Sequence, residues 1–181
     1  NSSVQFILAS CYRFGKWVEK DRRKAFNYYQ KLAEMDGSYG IFFVGLCYEN
    51  GVGVEKDERK AFIYYQKSAE MGDVNGIHDV EYCYLYGVGV EKNEHKAFFY
   101  FQISAEMGDA MGTNSVGYCY QLGIGVEIDR HKAFIYYQKA AEMDTFYLKN
   151  GLILLGCCYK NGSGVEEDEK KAFEYCRNGA C

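Results

Sequence analysis

The sequence predicts an all-α solenoid of about five helix-turn-helix repeats without strands, and three observations carry this prediction. A 36-residue unit returns along the 181-residue chain, so that Cys11, Cys47, Cys83 and Cys119 are evenly spaced, and a fifth copy follows at Cys158 with three extra residues. Each copy holds two segments with apolar residues at helical spacing, and the alternation typical of β-strands is absent. A period of about 20–50 residues indicates units that bury their apolar faces against their neighbours.

The first helix of each repeat contains one of these five cysteines, which we call the register cysteines. In the second repeat, residues 38–50 place Ile41, Val44 and Tyr48 on one helix face. Gly51 is expected to end this helix, because glycine readily adopts the left-handed conformation that closes a helix. The same glycine recurs in the other repeats at Gly15, Gly87, Gly123 and Gly162.

Small residues stand two positions before the register cysteine in four repeats, namely Ala9, Gly45, Gly117 and Gly156. This pattern predicts that a neighbouring helix comes close at that position. The third repeat has Glu81 there, which is expected either to widen the helix contact or to point outward. The turn also has one departure, since Trp17 replaces the second turn glycine of the first repeat.

The second helix of the second repeat is predicted from Glu58 to about Met71, with Asp57 as its N-terminal cap and Gly72 as its stop. Equivalent capping residues are Asp21, Asn93, Asp129 and Asp168. The repeats are therefore expected at about 2–37, 38–73, 74–109, 110–146 and 147–181. We expect them to form a single array that is a fragment of a longer protein.

Composition and charge exclude several classes of function. The net charge is −4, with acidic and basic residues closely mixed, whereas nucleic-acid binding calls for a clustered basic stripe. No apolar run approaches the roughly 18 residues that span a bilayer, so no membrane insertion is expected.

The cysteines predict thiols in a reducing compartment. Equivalent positions on adjacent packed helices lie about 9–10 Å apart, and a disulfide needs Cα atoms within about 7 Å. The register cysteines of the first four repeats should therefore be free, which favours a cytoplasmic location, with a secretory or ER-lumenal location as the alternative. Whether a bridge forms at the C-terminus is left open for a group of four cysteines, Cys157, Cys158, Cys176 and Cys181.

The turn and second helix contain a recognisable pattern. In the last copy it comprises Leu155-Gly156, Tyr159, Gly162, Gly164-Val165, Asp168 and Lys171-Ala172, and in the fourth Lys132-Ala133, Tyr136-Tyr137 and Lys139-Ala140-Ala141-Glu142. This pattern resembles the Sel-one-like repeat (SLR), a relative of the tetratricopeptide repeat. The resemblance implies a right-handed superhelix whose first helices line the concave side. It also implies a scaffold for assembling proteins, sometimes beside another domain such as a protein kinase, with no shared catalytic residues.

Candidate chemistry is sparse. The three histidines are scattered, and His95 and His131 occupy equivalent positions that are interpreted as exposed helix surface. No Cys-x-x-Cys motif or zinc-ligand spacing is present. The recurring glycine turn loosely resembles a phosphate-binding loop, but its repetition indicates turn geometry instead. We therefore expect no enzyme activity, cofactor or metal.

The best functional signal lies where the repeats differ. Three first-helix positions vary and fall away from the predicted core face: five before, one before and two after the register cysteine. Aromatic and polar groups mix there, as they do at protein interfaces; the alternative is unused surface that varies at random. The predicted partner-binding residues are Phe6, Phe42, Leu46, Glu49, His78, Tyr82, Leu85, Asn114, Tyr118 and Gln121, and the same positions in the last repeat are Ile153, Cys157 and Lys160.

These observations together predict a non-catalytic scaffold that binds a protein or peptide on its concave surface. The alternative is a regulatory repeat region of a larger enzyme such as a protein kinase. No polar capping helix is evident at the end repeats, so end-to-end self-association is a further expectation.

Overall fold

The computed structural model describes residues 2–143 and 148–180, and within these ranges the chain forms ten α-helices and no strand. This result confirms the predicted all-α fold class. The helices are α1 (Ser2–Phe14), α2 (Arg22–Asp36), α3 (Ser38–Asn50), α4 (Glu58–Glu70), α5 (Val74–Tyr86), α6 (Glu94–Glu106), α7 (Ala110–Leu122), α8 (Arg130–Ala141), α9 (Leu148–Asn161) and α10 (Glu169–Ala180).

The chain divides into two compact units, Asn1–Asn93 with α1 to α5 and Glu94–Cys181 with α6 to α10. Within each unit, every helix packs against the next along the chain; in addition, α3 contacts α5 and α7 contacts α9. The arrangement of all repeats as a single array stays a prediction. The boundary predicted between residues 146 and 147 lies outside the described residues.

Tyrosines and the register cysteines form much of each core. Tyr29 and Tyr65 in the first unit and Tyr137 in the second are almost completely buried. Burial of such rings contributes more apolar area than most side chains supply. All five register cysteines are buried. None of them forms a disulfide, as the sequence predicts for the first four. Cys157 and Cys176 are also free, while Cys181 lies outside the described residues.

The helix ends form as the sequence predicts. The backbone N–H of Gly51, which has a φ of +62°, donates to the carbonyl of Cys47 and closes α3. The Asp57 carboxylate accepts a hydrogen bond from the backbone N–H of Lys60 at 2.9 Å and caps α4, which ends at Glu70, one residue before the predicted end. The same cap forms at Asp21, Asp129 and Asp168.

The second turn glycine packs against the preceding repeat, a role that the sequence did not reveal. A Cβ atom on Gly53 would lie 2.7 Å from the carbonyl carbon of Arg22, and one on Gly89 would lie 2.6 Å from that of Glu58. Gly125 and Gly164 sit in the same way against the first residues of α6 and α8. The turn of one repeat thus touches the N-terminal end of the second helix before it, where no side chain fits.

Trp17 occupies this glycine position in the first repeat. Among the described residues it is the only non-glycine residue with a positive φ, at +66°. Such a conformation costs a residue with a Cβ atom about 1–2 kcal/mol. The indole is 81% exposed, so packing does not offset this strain.

The position of Glu81 differs from one of the two arrangements expected for it. Its side chain is only 4% exposed, so the suggestion that it points outward is wrong. The close approach predicted at the equivalent glycines is confirmed: a Cβ atom on Gly45 would lie 2.7 Å from a ring carbon of Tyr65, and one on Gly117 would lie equally close to Tyr137. Helix packing therefore determines the orientation of this first-helix position, whatever residue stands there.

Candidate functional site

The variable first-helix positions of the first unit differ in how far they reach the surface. Phe6 is half-buried, with its ring centroid 5.1 Å from that of Phe43 and 6.4 Å from that of Tyr29. Phe42 is also half-buried, 5.8 Å from the ring of Tyr65. These two predicted site residues therefore contribute to core packing as well as to the surface.

Tyr82 is the most exposed predicted site residue of the first unit, at 51%. Its ring lies 4.7 Å from that of Tyr86, which is 62% exposed. The two form a small aromatic surface at the C-terminal end of α5. The other predicted residues of this unit, Leu46, Glu49, His78 and Leu85, are half-buried.

Two carboxylates, Glu49 and Asp79, interact electrostatically with Tyr65 in the first unit. Burial, followed by the charges of Glu49 and Asp73, raises the pKa of Asp79 to about 6. Burial, followed by the carboxylates of Asp79 and Glu49, raises the pKa of Tyr65. Glu49 thus influences the core tyrosine of its own repeat. Asp79 carries a perturbed pKa that the sequence reasoning missed, because no motif marks a single carboxylate on a core-facing helix.

The second unit contains a groove between α7 and α9. Its volume is about 380 Å³, and its lining residues are Met111, Asn114, Ser115, Tyr118, Asn150, Ile153 and Leu154. Tyr118 is 49% exposed and Ile153 is 40% exposed. Predicted site residues Asn114 and Tyr118 thus meet Ile153, the equivalent of Asn114 in the next repeat.

Asn114 contributes to this groove a polar atom that lacks a hydrogen bond. Its Oδ1 atom is buried and has no hydrogen-bond partner among the described residues. A buried acceptor without a partner costs about 1–3 kcal/mol.

Gln121, the last predicted site residue, has a structural role. Its Oε1 atom accepts a hydrogen bond from the hydroxyl of Tyr137. In the third repeat the two equivalent positions are Leu85 and Phe101, so the acceptor and the hydroxyl are both replaced by apolar side chains. Such a paired change is a sequence signal for this contact that a comparison of the repeats could have found.

The two equivalent histidines also link repeats, which the sequence reasoning missed. The Nδ1 atom of His95 lies 2.8 Å from the carbonyl oxygen of Gly125, and that of His131 lies 3.0 Å from the carbonyl oxygen of Gly164. Because a carbonyl only accepts, each Nδ1 carries the hydrogen. Both histidines are exposed, and each binds the turn that packs on its own helix.

No group of three or more His, Cys, Asp or Glu side chains is arranged to bind a metal ion anywhere in residues 2–143 and 148–180. Over the same ranges, every helix is too short or too polar to span a membrane.

The fold and the exposed surface of the first helices define a helical repeat protein of the SLR class. The sequence profile of the Sel1 repeat matches five times, at residues 2–37, 38–73, 76–109, 110–144 and 150–181. The chain belongs to the Sel1 repeat family. Proteins of this family are generally non-catalytic scaffolds for protein interactions.

Solved structures support this assignment. A Sel1 repeat protein from Oxalobacter formigenes is 30% identical, with a TM-score of 0.88 over 99% of this chain and 73% of that protein. The protective antigen c5321 of uropathogenic Escherichia coli, which displays an SLR fold, is 28% identical, with a TM-score of 0.87 over 99% of this chain and 38% of the antigen. An immunity protein from Pseudomonas aeruginosa is 20% identical, with a TM-score of 0.60 over 99% of this chain and 68% of that protein, and it shares the fold. A comparison with curated proteins gives no match.

Proposed function

We propose that this chain is a non-catalytic scaffold that binds partner proteins on the exposed surface of its first helices. One observation carries the proposal. Variable residues from neighbouring repeats, Asn114 and Tyr118 on α7 and Ile153 on α9, line the same groove. A groove shared by two repeats suits an extended segment that crosses the helices.

The groove suggests what the bound segment offers. Tyr118 and Ile153 provide half-exposed apolar surface, which an aliphatic or aromatic side chain of the partner would cover. The amide of Asn114 would pair with the backbone of the same segment. Exposed tyrosines are frequent hot spots of protein interfaces, where truncation costs about 2 kcal/mol or more.

A pair of matched variants tests the groove. Tyr118→Glu with Ile153→Glu places two charges in it, whereas Ile135→Glu changes a residue on α8 that is 47% exposed and lies outside it. The parent and the Ile135 variant should retain the same proteins from a lysate of the source cells. The groove variant should lose them, with Kd raised more than ten-fold for any purified partner and an unchanged circular dichroism spectrum.

The opposite result is equally clear. If the folded groove variant bound every identified partner as tightly as the parent, the groove would not be the binding site. Tyr82→Glu tests the exposed aromatic surface of the first unit in the same way. Its control is Ile63→Glu on α4, where Ile63 is 48% exposed.

The other expectations stay proposals. Free cysteines throughout the described chain are compatible with a reducing compartment. Concave binding and end-to-end self-association rest on the resemblance and the sequence. A regulatory role beside an enzyme such as a protein kinase also stays a prediction, since no described residue bears on it.

A further inference from the structure

The turn between α1 and α2 has three exposed large apolar side chains, whereas the third turn has Tyr86 and the fourth has Leu122 and Ile128. Trp17 is 81% exposed, Phe14 is 68% exposed and Val18 is 38% exposed. In the other repeats the position of Trp17 is glycine. The first repeat therefore presents three apolar side chains at a turn.

The same turn is strongly basic, although the chain as a whole has a net charge of −4. Residues 13–24 include six basic side chains, Arg13, Lys16, Lys20, Arg22, Arg23 and Lys24, against the two acidic residues Glu19 and Asp21. Each equivalent segment of the other repeats has at least as many acidic as basic residues. The close mixing of charges that holds elsewhere thus fails at this one place.

The basic groups lie beside the exposed rings. The Nζ atom of Lys16 is 4.6 Å from the centroid of the Trp17 ring, and the guanidinium carbon of Arg13 is 5.2 Å from that of Phe14. Lys20, Arg22 and Arg23 are exposed. Asp21 is occupied as the cap of α2 and pairs with Lys24 at 3.5 Å. The turn therefore combines exposed apolar side chains with positively charged side chains around them.

The backbone supports a binding role for Trp17. At the equivalent positions glycine is required, because each turn packs against the helix before it. Trp17 keeps the same left-handed backbone, with a φ of +66°, without packing its side chain. Residues with strained backbone conformations cluster at active sites, ligand clamps and switch regions.

We propose that this turn docks the protein on the surface of an anionic phospholipid bilayer. Trp17 and Phe14 would lie at the level of the headgroups, where tryptophan is enriched, and the basic side chains would face anionic headgroups. Apolar side chains that stand out from a turn suit a soft, flat surface better than they suit a partner that would need a cavity for each. This peripheral docking is independent of the α7–α9 groove.

Trp17 provides the measurement, because it is the only tryptophan of the chain. The intact protein is titrated with vesicles of phosphatidylcholine alone and with vesicles that contain phosphatidylserine. We expect a blue shift of the fluorescence and co-sedimentation only with the phosphatidylserine vesicles. Both should weaken at high salt, because salt screens surface charges.

Variants separate the apolar and the basic contributions. Trp17→Gly restores the residue of the other turns and should fold like the parent, but it should no longer co-sediment. Lys16→Gln with Arg22→Gln should lower the partition coefficient about 25-fold, at about five-fold for each basic side chain near an anionic surface. The control, Lys56→Gln with Lys92→Gln, removes the same charge from the turns of the second and third repeats and should change it less than two-fold.

Several outcomes would overturn the proposal. One is binding to neutral vesicles as strongly as to anionic ones, or to neither. Another is a fluorescence shift with soluble glycerophosphoserine alone, which would indicate a small-anion site. A third is capture by polyglutamate without vesicle binding, which would indicate an acidic protein partner. Equal loss in the control and turn variants would show that net charge, and not this turn, causes the binding.

Discussion

The contact between a turn and the preceding repeat leads to the sharpest prediction. Gly87 and Gly89 lie in the same turn with φ values of +75° and +68°. A Cβ atom on Gly87 would meet its nearest neighbour, Lys92, at 3.4 Å, whereas one on Gly89 would overlap the Glu58 carbonyl, 2.6 Å from its carbon. The two glycines thus share backbone strain and differ in the contact between repeats.

The magnitudes follow from these geometries. In both variants, an alanine in the left-handed region costs about 1–2 kcal/mol, partly offset by about 0.4–1 kcal/mol from the stiffer unfolded chain. Gly87→Ala should therefore cost about 1 kcal/mol. Gly89→Ala adds overpacking against a backbone carbonyl, typically about 1–3 kcal/mol, for a total of about 2–4 kcal/mol. Against a total stability of about 5–15 kcal/mol, the difference is large.

Urea unfolding followed by far-ultraviolet circular dichroism measures both variants. We expect the midpoint of Gly89→Ala to fall well below that of Gly87→Ala, with similar slopes. Gly72→Ala is a second control, because its φ is +82° and a Cβ atom there would have open space. Equal destabilisation by all three would refute the contact between the turn and α4 as a source of stability.

Three further predictions concern single side chains. Tyr137→Phe should cost about 0.5–1.5 kcal/mol by removing the hydrogen bond to Gln121, and Gln121→Leu should cost less in its presence than alone; additive effects in a double-mutant cycle would contradict this pairing. Burial raises the pKa of Asp79 to about 6, because the folded protein favours the protonated carboxyl. The stability contributed by this protonated form is complete below the pKa of the unfolded chain, about 3.9. It is lost as the pH rises through about 6. Asp79→Asn should therefore be more stable than the parent at pH 8 and nearly equal to it at pH 4, and urea midpoints without this trend would disprove the assignment. Burial raises the pKa of Cys47 and Cys83 to about 12, while Cys157 is exposed. Iodoacetamide at pH 8 should therefore alkylate Cys157 faster than Cys47 or Cys83, and mass spectrometry that finds Cys47 modified equally fast would be incompatible with this burial.

Local chemistry explains what could be predicted about the fold. The end of α3 at Gly51 and the cap of α4 at Asp57 depend on residues within four positions along the chain. Repetition strengthened these inferences, since the same glycine and the same carboxylate stand in nearly every copy. The approximate helix bounds followed from this regularity.

The candidate site could be predicted only in part. Variation among repeats identified Asn114 and Tyr118, and the structure places both in the α7–α9 groove. It also gives Gln121 a hydrogen bond to a core tyrosine and packs Phe6 against Phe43. Variation alone does not separate a residue that faces solvent from one that adjusts the packing of its own repeat.

The sequence by itself determined the repeat, its two helices, their caps and the family to which the chain belongs, because these depend on residues near one another along the chain. Tertiary structure decided that Glu81 is buried and that His95 holds the turn of the following repeat. It also decided that Gly89 is required by the carbonyl of Glu58 rather than by its turn alone. The last two features join atoms about 30 residues apart, and all three exist only after the helices have packed.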